Sequence, residues 1–260
     1  MTPDELSRLL DRFLRPGVPK YTALRDAVAH GVSSGAFVSG DRVPNEQELA
    51  SRLPISLGTI QRALRMLVDD GLIQRRPGLG SFIAERHENG EMAQPFHCRF
   101  VDDSGTSYLP VFPKTLSRRT LEGPGEWTPW LGDGDCLEIT RRIRIGSEFS
   151  VHSSFVVNQR RLPVFADLPL AKLSGENFKE VIFRVAGQNI QRVDLFLRQQ
   201  SAPADIAKLL KIDVGTPCQS IRAVAFLNES DAVYYQQIFI PPNTRELHVV
   251  TDSRARGMLR

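Results

Sequence analysis

The stretch that decides the fold of the first part of this chain is residues 44–83, PNEQELASRLPISLGTIQRALRMLVDDGLIQRRPGLGSFI. Asn45 and Ser56 are good helix caps, and apolar residues recur at helical spacing after each of them. The pattern predicts two short helices joined by a tight turn, the second over residues 57–70. Residues 72–83 predict a two-stranded hairpin with glycines at its tip. This order of elements is that of a winged helix-turn-helix.

Two further helices are predicted before this stretch. The first extends from Thr2 to about Leu14, because Thr2 can cap it and Pro3 suits its first turn. The second extends from Pro19 to about Ser34, where apolar residues again recur at helical spacing. These elements predict a compact N-terminal domain over residues 1–84.

The charge distribution on this domain favours nucleic acid as a partner. Residues 49–84 contain five arginines and two acids, and both acids lie at the far end of the second predicted helix. The acid-free start of that helix could lie in the major groove of double-stranded DNA, with Gln61 or Arg62 at the base edges. A solvated basic face is the alternative interpretation. The predicted DNA-binding residues are Glu46, Gln47, Ser56, Leu57, Gly58, Thr59, Gln61, Arg62, Arg65, Arg75, Arg76, Gly78 and Gly80.

Several runs of residues in this domain match a known family. They are Gly40 to Pro44, Glu46, Glu48 to Ala50, Thr59-Ile60, Ala63-Leu64, Gly71 to Ile73 and Arg75 to Ile83. Through them, residues 19–83 closely resemble the winged-helix domain of GntR-type regulators, which implies DNA binding. The family usually has arginine where this chain has Gln47, Leu57 and Gln61, and threonine at Gly58. We therefore expect a different operator sequence and a lower salt sensitivity of binding.

The composition is that of a two-domain globular protein, with 260 residues, 41% of them apolar, and a net charge of +3. No apolar run approaches the ~20 residues that span a bilayer, and the N-terminus lacks the layout of a signal peptide. We expect a bacterial cytoplasmic protein, associated with the nucleoid when bound to DNA. Cys98, Cys136 and Cys218 are scattered and odd in number, which argues against disulfides and structural zinc.

Residues 85–94 are polar and predict a linker. The larger domain is then expected over residues 95–250, followed by a tail over 251–260. Two histidines, His87 and His97, lie near the linker. A lone histidine in a polar stretch is usually only solvated, so we predict no metal site there.

A repeat is visible in the larger domain. Residues 135–155 superpose without a gap on residues 217–237, so that Cys136 matches Cys218 and each copy is strand, polar turn, strand. Helices over about 177–185 and 202–210, separated by a strand over about 191–199, are predicted between the two hairpins. The pattern predicts a duplicated unit around one mostly antiparallel sheet, and an α+β fold for the whole chain.

The larger domain is also similar to a known effector module. The matching stretches are Arg142 to Arg144, the hairpin to Phe155, Asp205 to Leu210 and Gly215 to Pro217. Over about residues 95–249 they resemble the UTRA domain, which follows such winged helices in the HutC branch of the GntR regulators. The resemblance implies a chorismate-lyase-like α/β fold and a small-molecule effector. It also implies that the arginines meet an anionic or highly oxygenated group.

Strand periodicity selects candidate ligand groups. It places Arg142 and Arg144 on one face of a strand, where two neighbouring cations repel each other unless an anion or an acid lies between them. A pair with Glu138, or a solvated face, is the alternative. Many UTRA relatives carry glutamate at His152 and Tyr234, so a carboxylate or phosphate metabolite is favoured over an amino sugar. The predicted effector-binding residues are Arg142, Arg144, His152, Ser154, Tyr234 and Gln236.

No pattern predicts catalysis. The glycines of residues 78–80 lie at a hairpin tip with no following helix to receive a pyrophosphate, and residues 133–135 form a turn rather than a calcium loop. No serine lies in a nucleophile elbow and no histidine pair has zinc spacing. We predict no enzymatic activity, no cofactor and no metal.

Together these predictions describe a transcription regulator, and repression is the usual outcome in this family. We expect a two-fold homodimer, formed through the sheet domain, on a pseudo-palindromic operator. An effector bound between the two hairpin units would change DNA affinity, and DNA would change effector affinity by the same factor. The alternatives are a DNA-binding dimer with a purely structural larger domain, and an enzyme that uses that domain.

Overall fold

The computed structural model describes residues 1–70, 72–84, 98–103, 105, 108–175 and 177–249, which form two compact units. Of the described residues, the first unit contains those up to 84 together with those from 101 to 112. The second contains 98–100 and the residues from 113 onward. The predicted linker and tail lie outside the described residues. The membership of 101–112 in the first unit was not predicted.

The four predicted helices of the first unit are present close to their expected bounds: α1 (Pro3–Phe13), α2 (Lys20–Ser33), α3 (Glu46–Arg52) and α4 (Leu57–Asp69). Thr2 caps α1 and Asn45 caps α3, each in a capping box with a glutamate three residues later. Ser56 caps α4 by accepting a hydrogen bond from the backbone N–H of Thr59. The helix starts are therefore encoded locally.

The wing is the outer part of a three-stranded sheet with the order β1-β3-β2. Its strands are β1 (Arg42–Val43), β2 (Ile73–Arg76) and β3 (Gly80–Ile83). Gly78, between β2 and β3, has a φ of +74°, a conformation that residues with a Cβ rarely adopt. The hairpin tip therefore depends on glycine.

One apolar core joins these elements, and it includes Leu10, Leu49 and Ile60. Phe112 belongs to the same core. Its ring centroid lies 4.0 Å from the guanidinium carbon of Arg25, a fully buried residue whose Nε donates to Asp26 at 2.8 Å. The residues after the undescribed stretch thus stabilise the first unit.

The second unit is built on a six-stranded sheet with the order β5-β6-β7-β10-β9-β8. Its strands are β5 (Val111–Thr120), β6 (Cys136–Ile145), β7 (Phe149–Asn158), β8 (Arg192–Ser201), β9 (Pro217–Phe226) and β10 (Ala232–Ile240). A separate two-stranded sheet pairs β4 (Cys98–Phe100) with β11 (Leu247–Val249). The predicted repeat corresponds to the hairpins β6–β7 and β9–β10, which meet at the centre of the large sheet.

The two faces of the large sheet follow from its register. Face 1 carries Ile139 and Arg141 of β6, together with Ser153 and Phe155, which lie opposite them on β7. Face 2 carries the alternate residues of the same strands, among them Arg142.

The helices of the second unit lie on both faces of its sheet, and they are α5 (Thr128–Leu131), α6 (Val164–Asp167), α7 (Leu170–Gly175), α8 (Phe178–Ala186) and α9 (Ala204–Leu210). Phe165 of α6 and Phe178 of α8 pack on Phe155 of face 1. Ile206 of α9 packs with Phe239 of face 2. Among the residues described, no helix has the length and apolar character needed to cross a membrane.

Candidate DNA-binding surface and effector site

The start of α4 is exposed, as a recognition helix requires. Leu57 is 42% exposed, and the space around the Cα of Gly58 is open. The Ser56 and Thr59 hydroxyls lie 2.9 Å apart and bond to each other. The first turn of α4 contains no acid, so nothing on it repels a phosphate backbone.

The structure brings residues of α3, α4 and the wing together around one carboxylate. The amide Nε2 of Gln61 donates to Oε2 of Glu46 at 2.9 Å, and Arg75 lies 3.5 Å from Oε1 of Glu46. With Arg65 and Val68, these residues line a depression of about 460 Å³. A neighbouring depression is lined by Gln47, Arg75, Arg76, Gly78 and Gly80, among others. The predicted DNA-binding residues of α3 and the wing therefore share one surface.

Two arginines of this surface stack on aromatic rings. The guanidinium carbon of Arg62 lies 3.7 Å from the centroid of the Tyr21 ring, and that of Arg76 lies 5.0 Å from the Phe82 centroid. The Tyr21 contact turns Arg62 toward α2. Arg42 was missed by the sequence prediction, although it is exposed and lines the same depression as Arg76 and Gly78. Its position just before the cap of α3 was the available signal.

The six predicted effector residues do not lie on one face of the sheet. Arg142 lies opposite His152, which places both on face 2. Gln236 lies opposite Phe155 on face 1, and the register puts Tyr234 on the same face. The sequence match of Tyr234 with His152 and of Gln236 with Ser154 therefore does not hold for the faces of the sheet. The reason is a β-bulge between Ala232 and Tyr234, because a shift of one residue turns each following side chain to the other face.

Face 2 holds a polar cluster that is internally paired. Glu138 accepts from the Ser154 hydroxyl and from Nε of Arg119, both at 2.6 Å. Glu138, the acid considered as a partner for Arg142, therefore bonds to residues of β5 and β7. His152 is buried, its Nδ1 has no hydrogen-bond partner among the described residues, and desolvation lowers its pKa. Its imidazole is therefore held neutral.

Face 1 holds a second polar cluster, which the sequence prediction did not identify as a site. Arg141 lies opposite Ser153, and the Ser153 hydroxyl accepts from Nε2 of Gln236 at 2.8 Å. All three residues are buried, with exposed fractions of 3%, 0% and 3%. The sequence does contain a sign of this cluster, since Arg141 lies on the same face of β6 as Ile139 and Ile143 and interrupts an otherwise apolar row.

Arg141 is a buried cation, and no acid of the residues described lies beside it. Its guanidinium carbon lies 4.2 Å from the centroid of the Phe178 ring, and its Nε has no hydrogen-bond partner among the described residues. Desolvation lowers the pKa of Arg141 from 12.5 to about 9, so the side chain is still protonated at neutral pH. Burial of an unpaired charge is costly unless an anion neutralises it.

The other polar groups and cysteines of the second unit are weaker candidates for a binding site. A depression of about 590 Å³ lies at one end of the hairpins, and two of its arginines, Arg160 and Arg161, pair with Asp135 and Asp231. Cys98, Cys136 and Cys218 are buried and are not part of a disulfide bond. Burial raises the pKa of the Cys98 thiol to about 12. In the described part of the chain, no group of His, Cys, Asp and Glu side chains is arranged to hold a metal ion.

A winged helix-turn-helix with a basic exposed surface, followed by a sheet domain with a buried polar cluster, defines a DNA-binding regulator. Two family models match the chain, the bacterial regulatory proteins of the gntR family over residues 20–83 and the UTRA domain over residues 132–244. The chain thus combines a gntR-type DNA-binding domain with a UTRA domain, and its relatives include histidine utilization repressors, which are regulators of the HutC type. It is a regulator rather than an enzyme.

The chain is similar to several individual proteins. The chain is 28% identical over 222 residues to the HTH-type transcriptional regulator Rv0792c of Mycobacterium tuberculosis, covering 84% of this chain and 80% of that protein. It is 45% identical over 67 residues to the histidine utilization repressor of Pseudomonas aeruginosa, a match that spans 26% of this chain and 27% of the repressor. The solved structure of PhnF from Mycobacterium smegmatis aligns with 98% of this chain at 18% identity and a TM-score of 0.46.

Proposed function

We propose that this regulator senses a small anionic metabolite on face 1 of its second unit, and that binding of the metabolite changes the affinity of the first unit for its operator. The observation that carries the proposal is the buried guanidinium of Arg141, which no carboxylate of the described residues balances. A phosphate or carboxylate group would supply the missing charge. Ser153 and Gln236 would offer it polar neighbours.

The names of relatives support a small molecule as the signal. One relative is a histidine utilization repressor, and its name associates repression with the use of a small molecule. For this chain, the substitution of His152 and Tyr234 for the acids of many UTRA domains favours an anion over an amine. The face 2 residues Arg142 and Arg144 remain a second candidate site for the same anion.

For the DNA-binding unit, we propose that the start of α4 enters the major groove and that the arginines of the wing neutralise phosphates beside it. A homodimer would present two such helices to a pseudo-palindromic operator in the bacterial cytoplasm. Because binding is linked, effector and operator must change each other's affinity by the same factor. Repression, released or strengthened by the effector, is the expected output.

A thermal-unfolding screen tests the effector proposal. Inorganic phosphate, a phosphorylated sugar and a dicarboxylate are each added to the full chain, to Arg141→Met and to Arg142→Met. A ligand at a hundred times its Kd should stabilise the chain by about 2.7 kcal/mol. We expect the shift to disappear in Arg141→Met and to persist in Arg142→Met. The reverse pattern would move the site to face 2.

The alternative, a second unit that is purely structural, makes a different prediction. No anion would then stabilise the chain, although sequence-specific DNA binding would persist. Measurement of operator affinity with and without a stabilising anion completes the test. An anion that stabilises the chain but leaves operator affinity unchanged would contradict the regulatory part of the proposal.

A further inference from the structure

Glu46 is an acid on the surface that meets DNA, and an acid there repels phosphates. We propose that Glu46 orients the amide of Gln61 so that Gln61 reads an adenine in the major groove. The inference rests on the proposed role of α4 as the recognition helix. Beyond that role, the inference names the base that Gln61 recognises and identifies Glu46 as the residue that positions Gln61.

The orientation of the Gln61 amide follows from the chemistry of its partner. A glutamine amide has a donating and an accepting end, and the two can exchange by rotation. The carboxylate of Glu46 only accepts hydrogen bonds, so the nitrogen of Gln61 must face it. The observed contact, 2.9 Å between Nε2 of Gln61 and Oε2 of Glu46, has this orientation.

Glu46 is itself held from a second side. Its other oxygen, Oε1, lies 3.5 Å from a guanidinium nitrogen of Arg75 on the wing. Glu46 is half-buried in the first turn of α3, whereas Gln61 is exposed. The carboxylate therefore links α3, α4 and the wing, and the free end of Gln61 is the end that a base can meet.

The groups that remain free on Gln61 match one base. After one Nε2–H has bonded to Glu46, Gln61 retains one N–H donor and the Oε1 acceptor. Adenine presents the complementary pair in the major groove, the N7 acceptor and the N6 donor. Guanine presents two acceptors, N7 and O6, so its O6 would face the Gln61 oxygen without a hydrogen. The fixed amide therefore selects adenine against guanine.

The neighbouring side chain of α4 is arranged differently. Arg62, the next residue, stacks on the Tyr21 ring at 3.7 Å, which directs its charge toward α2. Of these two neighbouring polar side chains, Gln61 is therefore the one whose contacts leave it in position to meet the edge of a base.

The experiment is selection of preferred duplexes from a random library by the full-length chain, followed by affinity measurements on single-base variants of the selected sequence. The proteins are the natural chain, Gln61→Ala, Glu46→Ala and the double variant. Asp11→Ala is the matched control, because it removes one exposed acid of the same unit away from Gln61. Circular dichroism verifies that each variant is folded.

We expect one adenine position at which guanine weakens binding by the natural chain about 10-fold or more. That preference should vanish in Gln61→Ala, fall to about 3-fold or less in Glu46→Ala, and be unchanged in Asp11→Ala. The double variant should match Gln61→Ala at this position, because Glu46 acts through Gln61. Affinity of Glu46→Ala for random duplex should not decrease, since a negative charge has left the surface.

Two outcomes would overturn the inference while α4 remains the recognition helix. In one, the position lost in Gln61→Ala selects a base other than adenine. In the other, Glu46→Ala keeps the full preference for adenine over guanine, or it lowers that preference by the same factor in the natural chain and in Gln61→Ala. Absence of any sequence preference in the natural chain would instead contradict the recognition role of α4 itself, and the inference with it.

Discussion

Arg141 on β6 and Ser153 on β7 lie directly opposite each other on face 1 of the sheet. The pair places a guanidinium beside a hydroxyl group in a part of the core where aromatic rings from α6 and α8 pack. A hydroxyl can accept a hydrogen bond, but it cannot balance a charge. The guanidinium of Arg141 therefore carries a burial penalty that Ser153 does not offset and that the proposed anion would relieve.

Arg141→Met should stabilise the ligand-free chain. The lowered pKa of about 9 means that Arg141 is charged in the folded state below that pH, so its burial penalty is present at neutral pH and is relieved only as pH rises above 9. Replacement by an apolar side chain of similar length should raise the free energy of unfolding by about 1–3 kcal/mol. Urea unfolding at pH 7 measures it, with Arg142→Met as the control. A decrease would contradict the burial penalty assigned to Arg141.

The hydrogen bond between Ser153 and Gln236 should be coupled energetically. Ser153→Ala removes the hydroxyl to which the buried amide of Gln236 donates, which should lower the free energy of unfolding by about 1–3 kcal/mol. The double variant Ser153→Ala/Gln236→Leu should lose less than the sum of the two single variants. A double-mutant cycle of urea unfolding measures the coupling. Strict additivity would contradict an energetic coupling between Ser153 and Gln236.

Much of this fold could be predicted because its determinants are local. The caps Thr2, Asn45 and Ser56 and the wing glycines specify their elements within a few residues. The paired hairpins were predicted from a repeat visible in the sequence. The repeat matched Tyr234 with His152, but the two lie on opposite faces, because the bulge between Ala232 and Tyr234 leaves no trace in composition or spacing.

The candidate site was harder to predict than the fold, because it depends on contacts that are distant in sequence. Glu46 and Gln61 belong to different helices, and their contact follows from the crossing of α3 and α4. Arg141 was overlooked because its neighbour Arg142 fitted an expected motif. The alternation around Arg141 shows an interrupted apolar face, a signal that an unpaired buried charge can leave in a strand.

Phe112→Ala should destabilise the first unit selectively. Phe112 is buried and lies under the guanidinium of Arg25, so its loss removes ring packing and exposes a buried cation. The expected decrease in free energy of unfolding is about 3 kcal/mol. The chain offers a specific readout, because both tryptophans, Trp127 and Trp130, lie in the second unit. The midpoint of the tryptophan fluorescence transition should stay at the same urea concentration. The midpoint of the transition followed by helical circular dichroism should move to a lower urea concentration. Equal shifts of the two would contradict the prediction.

Arg75→Ala should reduce the salt dependence of DNA binding. If Arg75 neutralises one phosphate, its loss should lower the slope of log K against log salt by about 0.9. The preference for adenine should fall less than in Glu46→Ala, because phosphate contacts carry no base identity and Arg75 reaches Gln61 only through Glu46. Fluorescence anisotropy over a series of salt concentrations measures the slope. Arg119→Ala, an exposed arginine of the second unit, is the control and should leave the slope unchanged.

His152 should make the second unit sensitive to acid. Burial lowers the pKa of His152 below its ordinary value of 6.5, so the folded chain keeps the imidazole neutral where the unfolded chain takes up a proton. The stability linked to this group is complete above pH 6.5 and is lost as pH falls below it, because the unfolded state then binds more protons. His152→Asn should therefore flatten the decline in free energy of unfolding between pH 7 and pH 5. Tryptophan fluorescence during urea unfolding at each pH reports on this unit. The same decline in the natural chain and in His152→Asn would show that the imidazole is already charged in the folded state, or that water reaches it.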